Sequence, residues 1–499
     1  MRIGARFFAS AAALLAVAQP AQARWLETTT DHFVIYGDLS DNEAAGYAML
    51  LEHFDDLLRG VANVPRKIQS EADRVTVYVV PLNTVQSLAR SSNIGGFYNS
   101  NAQSTIAVMP TSVPSYWDLG PYHVMFHEYT HHIFLSSTEA SYPSWVQEGL
   151  AEFFGTITTK PDGSFVIGAP PQLRGWALHR QVQMNMTELL GSDGKKLSDS
   201  EVEDKYARGW LLTHYLLLSK KRPGQYDTYL RLVAKGVPSI EAGKQAFGDL
   251  RKLDGEIEIY NRAERFPTFI VPPKAVAASP RIRPLTACEI KILPTRIRSA
   301  VGVNEKTAPK LVPPARSIAA DCPNDAFVQR SLAEVEFDAK NNSEAMAAAD
   351  RALALDPKNL MAMVYKGRVY ARQGKWVDAR SWFIKANRLN PNYALPLELY
   401  YDTYARAAEA PTKNAVDALM RAVVLAPQDD QLRLRVAYEL IREGDLPLAR
   451  KVLAPVAFSA HAGSDNKALD VLNEIDKRSP AATVLAQATA AKWNELGKE

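Results

Sequence analysis

Residues 127–131 read His-Glu-Tyr-Thr-His, and residues 144–152 read Ser-Trp-Val-Gln-Glu-Gly-Leu-Ala-Glu. Residues four apart on a helix share a face, so a helix through the first stretch presents both imidazoles to one point, with Glu128 beside them. Apolar neighbours make this helix apolar nearly all round, which predicts that it is buried. Buried without partners, two imidazoles and a carboxylate would cost roughly 1–3 kcal/mol for each unsatisfied group. A bound cation removes that cost, so the pattern predicts a metal site.

The second stretch predicts the helix that completes the site. Glu148 and Glu152 are four residues apart and share a face. We assign Glu148 to the metal and expect Glu152 to accept the outward N–H of a ligating histidine, which fixes the tautomer of that ring. Gly149 and Ala151 are small, and we expect them to let this helix approach the first one closely.

The two stretches resemble the gluzincin metallopeptidases, and within them the peptidase-MA-like proteins that carry H-E-Y-x-H followed by W-x-x-E-G-x-A-E. The resemblance covers about residues 25–265. It implies an α+β zincin-like domain, with a mixed-sheet lobe and a helical lobe, and a Zn²⁺ ion held by His127, His131 and Glu148. The loop between the motifs is shorter than in the aminopeptidase N type, and the chain has no Gly-Ala-Met-Glu-Asn motif. These departures weaken any inference of aminopeptidase specificity, and the sequence does not decide between endo- and exopeptidase action.

The activity that follows is hydrolysis of an amide bond. Three protein ligands leave one position on zinc for a water molecule, whose pKa falls there to about 7. Glu128 would be the general base that takes the water proton and passes it to the leaving amine. A donor for the developing oxyanion is also needed, and related sequences carry a Tyr-Ala-x-x-Trp segment that this chain matches from Tyr206. Tyr206 is therefore the candidate, against the alternative of a packed aromatic ring, and His214 is the second choice.

The first 23 residues have the order of an export signal. Arg2 and Arg6 precede a largely apolar run at residues 7–18, and Ala-Gln-Ala follows at residues 21–23. The run is too short to span a bilayer, so residues 1–23 are predicted to be a cleaved signal peptide of an exported, periplasmic or secreted protein. Losing those two arginines lowers the formal charge from +3 to +1, which gives no electrostatic argument for a nucleic-acid or anionic-membrane partner.

Residues 24–266 are predicted to form one metallopeptidase-like domain. Alternating apolar and polar residues predict strands at residues 32–37, 74–81 and 105–110. Helical spacing is clearest at residues 42–61, 124–134, 145–154, 206–218 and 226–233. The strand at residues 105–110 is a possible sheet edge for pairing with an extended peptide substrate in a cleft between the two lobes.

Residues 267–323 differ in composition, being rich in proline and valine. They are predicted to be a linker or a small subdomain with short strands, such as one at residues 288–293. The two cysteines of the chain, Cys288 and Cys322, fall in this segment. The sequence fits either a disulfide that ties the segment down or two separate thiols.

The last third of the chain is repetitive. Similar phrases end at Pro357, Pro391 and Pro427, at spacings of 34 and 36 residues, and a period near 34 is that of stacked helical hairpins. The middle unit has the alternating small and large residues of a tetratricopeptide repeat, including Gly367 and Phe383. Residues 324–460 are therefore predicted to be an all-α solenoid of some four tetratricopeptide repeats, and residues 461–499 a helical cap.

A function of another class competes with hydrolysis, namely a periplasmic scaffold or adaptor in which the metal site is structural or inactive. A solenoid offers a concave groove for a peptide or a partner protein, and in a third hypothesis the repeats deliver substrate to the peptidase. Glu128 favours the enzyme, since a structural site needs no general base. Four arginines fall where the groove could be lined, although each is interpreted as part of a solvated face: Arg330, Arg368, Arg372 and Arg442.

Overall fold

A mixed β-sheet organises the first part of the chain. The computed structural model describes residues 24–65, 71–92, 94–113, 122–137, 142–180, 183–274, 279–459 and 465–493, so the predicted signal peptide lies outside the described residues. The strands are β1 (Trp25–Thr29), β2 (Phe33–Asp38), β3 (Val75–Val80), β4 (Phe97–Ser100), β5 (Thr105–Pro110), β6 (Thr158–Thr159), β7 (Phe165–Ile167), β8 (Phe269–Val271) and β9 (Arg281–Pro284).

The helices fall into two sets. Those of the first part are α1 (Asp41–Ala62), α2 (Leu82–Ala89), α3 (His123–Ser137), α4 (Ser144–Gly155), α5 (Gly175–His179), α6 (Met186–Leu190), α7 (Asp199–Leu218), α8 (Gln225–Ala234), α9 (Ser239–Phe247) and α10 (Leu250–Asn261). Those of the second part are α11 (Ala287–Val301), α12 (Ala308–Asp321), α13 (Ala326–Asp338), α14 (Asn342–Leu355), α15 (Leu360–Arg372), α16 (Trp376–Leu389), α17 (Ala394–Arg406), α18 (Lys413–Leu425), α19 (Asp430–Glu443), α20 (Leu446–Ala457), α21 (Lys467–Asp476) and α22 (Ala481–Ala490).

The larger sheet has the strand order β4-β5-β3-β2-β1-β9, in which β2, β3 and β5 are parallel and the other pairs antiparallel. Alternate residues of its strands point to opposite faces. Ile35 and Val77 belong to the core that contains α1 and α3, whereas Tyr36 and Tyr78 pack on the other face with Leu293 of α11. The sheet is therefore covered on both faces, and α3 lies against the inner one.

The predicted strands at residues 32–37, 74–81 and 105–110 and the predicted helix at residues 42–61 are confirmed within one residue at each end. The prediction that the strand at residues 105–110 is a sheet edge is wrong, because β5 lies between β3 and β4. The edge is β4, whose four residues, Phe-Tyr-Asn-Ser, have no strand-like alternation of apolar and polar side chains.

Residues 267–323, predicted to be a linker or a small subdomain, are structured along most of their described length. β8 pairs with β7, and β9 adds to the larger sheet beside β1. The strand predicted at residues 288–293 is wrong, because Thr286 and Glu289 form a capping box that starts α11 there. Cys288 and Cys322 form a disulfide, which settles the alternative that the sequence left open and ties α11 to the end of α12.

Helices α13 to α20 form four antiparallel hairpins, within the range predicted for the repeats. A side chain on Gly367 would lie 2.5 Å from the ring of Phe383, so the small and large residues of the repeat meet as predicted. α21 and α22 continue the stack on α20 and α19. Within the described ranges, none of the helices combines the length and the hydropathy needed to cross a bilayer.

The solvated face predicted for four arginines of the repeats is wrong for most of them. Arg368 and Arg372 are only partly exposed, and their guanidinium groups lie 4.5 and 3.6 Å from the ring centre of Phe337. Arg330 is also partly buried, beside the ring of Phe327. Arg442 alone is exposed, with 41% of its side-chain surface accessible, and it pairs with the neighbouring Glu439.

A buried network of charged groups ties α1 to α3. His32 donates its backbone N–H to Glu52 at 2.9 Å, and its Nδ1 lies 2.9 Å from the other carboxylate oxygen. One turn along, Asp55 accepts hydrogen bonds from Tyr129 of α3 at 2.7 Å and from Arg59 at 2.6 Å. Tyr129 is the third residue of the His-Glu-Tyr-Thr-His stretch, so this network holds the helix that carries that stretch on the sheet lobe.

The Glu52 side chain makes the stability of this lobe depend on pH. Burial by itself raises the pKa of Glu52, but the hydrogen bonds and charge of His32 outweigh it and hold that pKa at about 2, below the ordinary 4.5. A depressed carboxyl pKa contributes stability above pH 4.5 that is lost as the pH falls toward 2, here about 3 kcal/mol.

We therefore expect Glu52→Gln to flatten the fall in unfolding free energy between pH 4.5 and pH 2. The exposed Glu241→Gln is the control, and parallel curves for wild type and Glu52→Gln would refute the assignment.

Candidate metal centre

Three side chains from α3 and α4 converge on one point. The Nε2 atoms of His127 and His131, one helical turn apart, are separated by 3.3 Å. The Oε2 atom of Glu148 lies 3.3 Å from Nε2 of His127 and 3.5 Å from Nε2 of His131. The three predicted ligand residues are thus brought together, with their donor atoms at the corners of a nearly equilateral triangle.

The size of this triangle fits a zinc ion. Zinc–nitrogen and zinc–oxygen bonds of about 2.0–2.1 Å in a tetrahedron place two ligand atoms roughly 3.3 Å apart. The measured separations of 3.3, 3.3 and 3.5 Å match that length and exceed the 2.7–3.2 Å usual for hydrogen bonds to nitrogen. The residues therefore fit a cation better than they fit direct hydrogen bonds to one another.

A second cluster in the same chain gives an internal comparison. His32, Glu52 and Asp55 also bring three potential donor atoms together, and these two groups of three are the ones found among the described residues. In the second group, however, the carboxylates are bonded at 2.6–2.9 Å by His32, Arg59 and Tyr129. That cluster is neutralised by protein groups, whereas the His127 cluster has the spacing of a metal site.

The electrostatics of the cluster favour a positive charge. Burial lowers the pKa of His127, but the neighbouring carboxylates of Glu148 and Glu152 raise it to about 9. Burial raises the pKa of Glu148, but the neighbouring imidazoles of His131 and His127 hold it well below its usual range. An ionised carboxylate is therefore kept in a buried place, which is the condition that a cation ligand requires.

Helix α4 packs closely on α7 at Gly149, whereas the sequence predicted that this glycine would face α3. A side chain on Gly149 would lie 2.6 Å from the carbonyl oxygen of Gly209, so the close approach permitted by Gly149 is between α4 and α7, with α3 on another side. Trp145 at the start of α4 donates its indole N–H to Tyr229 at 2.9 Å. These two contacts fix the position of α4, and with it the position of the Glu148 carboxylate relative to the two histidines.

Glu152 has a different partner from the one expected. Its Oε1 lies 3.9 Å from Nδ1 of His127, beyond hydrogen-bond length, and instead accepts two hydrogen bonds from Arg174, at 2.7 and 3.1 Å. Arg174 also bonds Glu203 at 2.9 Å. Sequence reasoning missed Arg174, because it reaches the site from a short 3-10 turn after β7. Glu152 thus acts on His127 through its charge, with Arg174 as its direct partner.

Tyr206 lies beside the cluster, on α7. Its ring stacks on that of His127 with centres 6.2 Å apart, and the guanidinium of Arg174 lies 4.6 Å from its centre. Burial, and then the charge of Glu148, raise the pKa of Tyr206, so the phenol keeps its proton at neutral pH. The ring is both packed and close to the cluster, and a protonated phenol is what an oxyanion donor needs.

Glu128 stands apart from the three ligand residues. It is partly exposed, and its negative charge acts on His127, on Tyr206 of α7 and on Tyr98 of β4. Its carboxylate is therefore within electrostatic reach of the sheet edge and of the helical lobe, and it does not belong to the group of three candidate ligand residues.

His214, the second candidate for the oxyanion donor, is unsuited to that role. The ring is fully buried, with its Nε2 bonded to the Gly168 carbonyl at 3.1 Å and its Nδ1 bonded to the Tyr260 hydroxyl at 2.9 Å. Burial lowers the pKa of His214 to about 4, so the ring is a neutral packing residue. The proposal of His214 as an oxyanion donor is wrong.

The repeats touch the surroundings of the cluster. Gln428, which precedes α19, donates to Nδ1 of His132 at 3.2 Å, and Gln147 of α4 donates to the Phe458 carbonyl at 3.2 Å. A cavity of about 290 Å³ lies between the β4–β5 turn, the end of α1 and the third hairpin, with His132 and Gln428 in its wall. Helices α3 and α4, which carry the three candidate ligand residues, are thus both hydrogen-bonded to the second half of the solenoid.

Comparison with known proteins gives partial matches. The family described as "Protein of unknown function (DUF1570)" matches residues 122–238, which include α3, α4 and α7 but are less than a quarter of the chain. Cellulose synthase 1 operon protein C of Komagataeibacter xylinus is 30% identical over 119 residues, 23% of this chain and 9% of that protein. Cellulose synthase operon protein C of Komagataeibacter sucrofermentans is 29% identical, with the same coverage. This chain thus matches less than a tenth of the length of these relatives.

Two solved structures align with the chain at low scores. One is YrrB, described as a TPR protein with an unusual peptide-binding site, with 23% identity, coverage of 35% of this chain and 90% of that chain, and a TM-score of 0.28. The other is PilF of Pseudomonas aeruginosa, with 17% identity, coverage of 41% and 92%, and a TM-score of 0.33. Scores this low carry no argument about function. The assignment of the repeats depends on the four helical hairpins α13 to α20 described above.

Proposed function

We propose that the chain is an exported zinc-dependent hydrolase of the gluzincin type, with a zincin-like fold in residues 24–266, that cleaves amide bonds in a peptide or protein. The observation that carries the proposal is the triangle of donor atoms from His127, His131 and Glu148, with sides of 3.3, 3.3 and 3.5 Å. No fourth histidine, cysteine or carboxylate belongs to this group among the described residues, so three protein ligands leave room for water and substrate.

Zinc bound by these residues would supply a Lewis acid that polarises a carbonyl and makes water acidic. Glu128 would accept the proton from the attacking water and return it to the leaving amine. The Tyr206 hydroxyl would donate a hydrogen bond to the oxygen on which negative charge develops. Arg174 would hold Glu152 and the ring of Tyr206 in place, since it bonds the first and stacks on the second.

A test of metal dependence needs no known substrate. The full-length protein would be incubated with a mixed peptide library, and new amino termini would be counted after treatment with a chelator and after zinc is restored. We expect cleavage to disappear on chelation and to return with zinc but not with magnesium, because imidazole ligands suit zinc. Cleavage that survives complete removal of the metal would contradict the proposal.

A second function, a scaffold or adaptor built on the repeats, has its own support. The four hairpins and their cap make up about a third of the chain, and the relatives found above are named as operon proteins and not as peptidases. The comparisons favour this function over hydrolysis. Stacked hairpins expose a groove that suits a peptide or protein partner. One experiment distinguishes the two functions, because an adaptor would bind its partner equally well after chelation of the metal and would cleave no peptide.

A further inference from the structure

The repeats hold the turn between β4 and β5, residues 101–104. Ala102 in this turn is 4% exposed and belongs to the apolar core that the third and fourth hairpins share. Its backbone N–H donates to Oδ2 of Asp429 at 2.8 Å. The carbonyl of the next residue, Gln103, accepts a hydrogen bond from the Tyr393 hydroxyl at 2.5 Å. Two neighbouring backbone groups of the sheet lobe are therefore bonded by side chains of the solenoid.

The turn is preorganised for this contact. Within it, Oδ1 of Asn101 accepts the backbone N–H of Gln103 at 2.9 Å and that of Ser104 at 3.1 Å. An asparagine side chain that bonds the backbone two residues further on is a common way of fixing a turn. The N–H of Ala102 and the carbonyl of Gln103 take no part in these bonds, and the repeats supply the partners of both.

One helix of the repeats lacks a side-chain cap where its first residue contacts the turn. In three of the four hairpins the residue before the first helix is Asp325, Asn359 or Asp429, and each side chain caps its own helix. In the third hairpin this position holds Tyr393, which makes no such bond. Tyrosine is not among the residues that cap helix starts well. Its hydroxyl bonds Gln103 instead, so the side chain serves the turn and not its own helix.

The turn follows the edge strand that borders the candidate metal centre. Strand β4 ends at Ser100, directly before the turn, and it is the outermost strand at its end of the sheet. The hydroxyl of Tyr98 in β4 lies 2.5 Å from Nδ1 of His132, on the helix that carries two candidate ligand residues. The charge of Glu128 acts on the same tyrosine. A shift of the turn would therefore move a strand that is coupled to α3 and to Glu128.

We propose that Tyr393 and Asp429 of the repeats are positioning residues for the metal centre. They hold the β4–β5 turn, and through it they hold edge strand β4 in place as one wall of the substrate cleft. The repeats are thus part of the peptidase site although they touch neither the metal nor the reacting atoms. This inference rests on the proposed hydrolase function, because it names what the repeats do for that site. A loosened turn weakens binding of the peptide chain and leaves the zinc ion bound.

Two variants of the full-length protein loosen the turn in different ways. Tyr393→Phe removes the hydroxyl that bonds the turn, and Ala102→Asp places a second carboxylate beside Asp429, which repels it. The matched control is Tyr404→Phe, which removes a hydroxyl from the same hairpin whose bond partner lies within its own helix.

Two measurements separate a positioning role from a purely structural one. Hydrogen–deuterium exchange reports the opening of residues 97–104 and needs neither a substrate nor a metal. Affinity for two zinc-binding hydroxamates reports the state of the cleft. Acetohydroxamate contacts the metal alone, whereas a tetrapeptide hydroxamate also extends along the cleft. Zinc content is measured on the same preparations.

We expect exchange in residues 97–104 to be about tenfold faster in Tyr393→Phe and in Ala102→Asp than in wild type, because each variant loses a hydrogen bond or gains a repulsion at the turn. Both variants should bind the tetrapeptide hydroxamate about tenfold more weakly. Their affinity for acetohydroxamate and their zinc content should stay at the wild-type level. Tyr404→Phe should match wild type in all four quantities.

Unchanged exchange of residues 97–104 in both variants would show that the repeats do not hold the turn. Faster exchange with unchanged affinity for the tetrapeptide hydroxamate, or with equal weakening of both hydroxamates, would make the contact purely structural and would also overturn the proposal. Failure of the hydrolase function looks different, because wild type itself would then bind no zinc, or would bind zinc and both hydroxamates and cleave no peptide of the library.

Discussion

Glu128→Gln is expected to lower peptide turnover by about 10²–10⁴-fold while the protein keeps its zinc. The amide has nearly the same shape as the carboxylate but cannot take a proton from water. Glu128 is not one of the three residues whose donor atoms form the triangle, so its replacement leaves the metal ligands in place. The measurement is kcat on a peptide identified from the library, together with the zinc content of the same preparation.

The control for this variant is Glu203→Gln, which removes a carboxylate on α7 that is 46% exposed and contacts Arg174. We expect that variant to retain most of the turnover. If Glu128→Gln cleaved the peptide as fast as wild type, Glu128 would not be the general base. If both forms bound zinc and neither cleaved any peptide, the adaptor function would be favoured.

Gly149→Ala is expected to destabilise the protein strongly, although it adds a single methyl group. The new carbon would lie 2.6 Å from the carbonyl oxygen of Gly209 and 2.6 Å from Oγ1 of Thr213, so α4 and α7 must separate. Overpacking of this kind costs about 1–3 kcal/mol, and we expect the upper end because one obstacle is backbone. The neighbouring Glu148 would shift with α4, so zinc affinity should fall together with the thermal midpoint.

Gly46→Ala is the matched control for that variant. Gly46 is exposed on α1 and an added side chain would meet nothing within 4 Å, so alanine should stabilise the helix by about 0.5–1 kcal/mol. The two substitutions add the same atoms and should change the midpoint in opposite directions. A Gly149→Ala protein that is as stable as wild type would mean that α4 and α7 do not pack as described.

Local patterns in the sequence were sufficient for the parts of the site that lie within one helix. His127 and His131 are one turn apart, so their convergence follows from helix geometry alone. Glu148 was placed by motif, and the structure brings its carboxylate to the two histidines. The repeats could also be predicted from the sequence, because their period near 34 residues reflects the packing of each hairpin on the next.

Tertiary contacts explain what the sequence analysis missed. Arg174 meets Glu152 across 22 residues of chain with no periodic signal between them. Strand β4 is recognisable only from its pairing with β5, since its four residues do not alternate. Helix α12 falls in the segment that was predicted to be a linker or a small subdomain because of its prolines. Pro309 lies in the first turn of the helix, where proline is tolerated, whereas Pro313 and Pro314 lie inside it. Such features depend on partners that are distant in the chain.

The zinc content of the purified full-length protein tests the central claim most directly, with His131→Ala and Glu148→Ala measured beside wild type. The account predicts about one tightly bound zinc ion per wild-type chain, as expected for a site with three protein ligands, and loss of that ion in both variants. A wild-type protein that takes up no zinc, or variants that retain it at the wild-type level, would contradict the account.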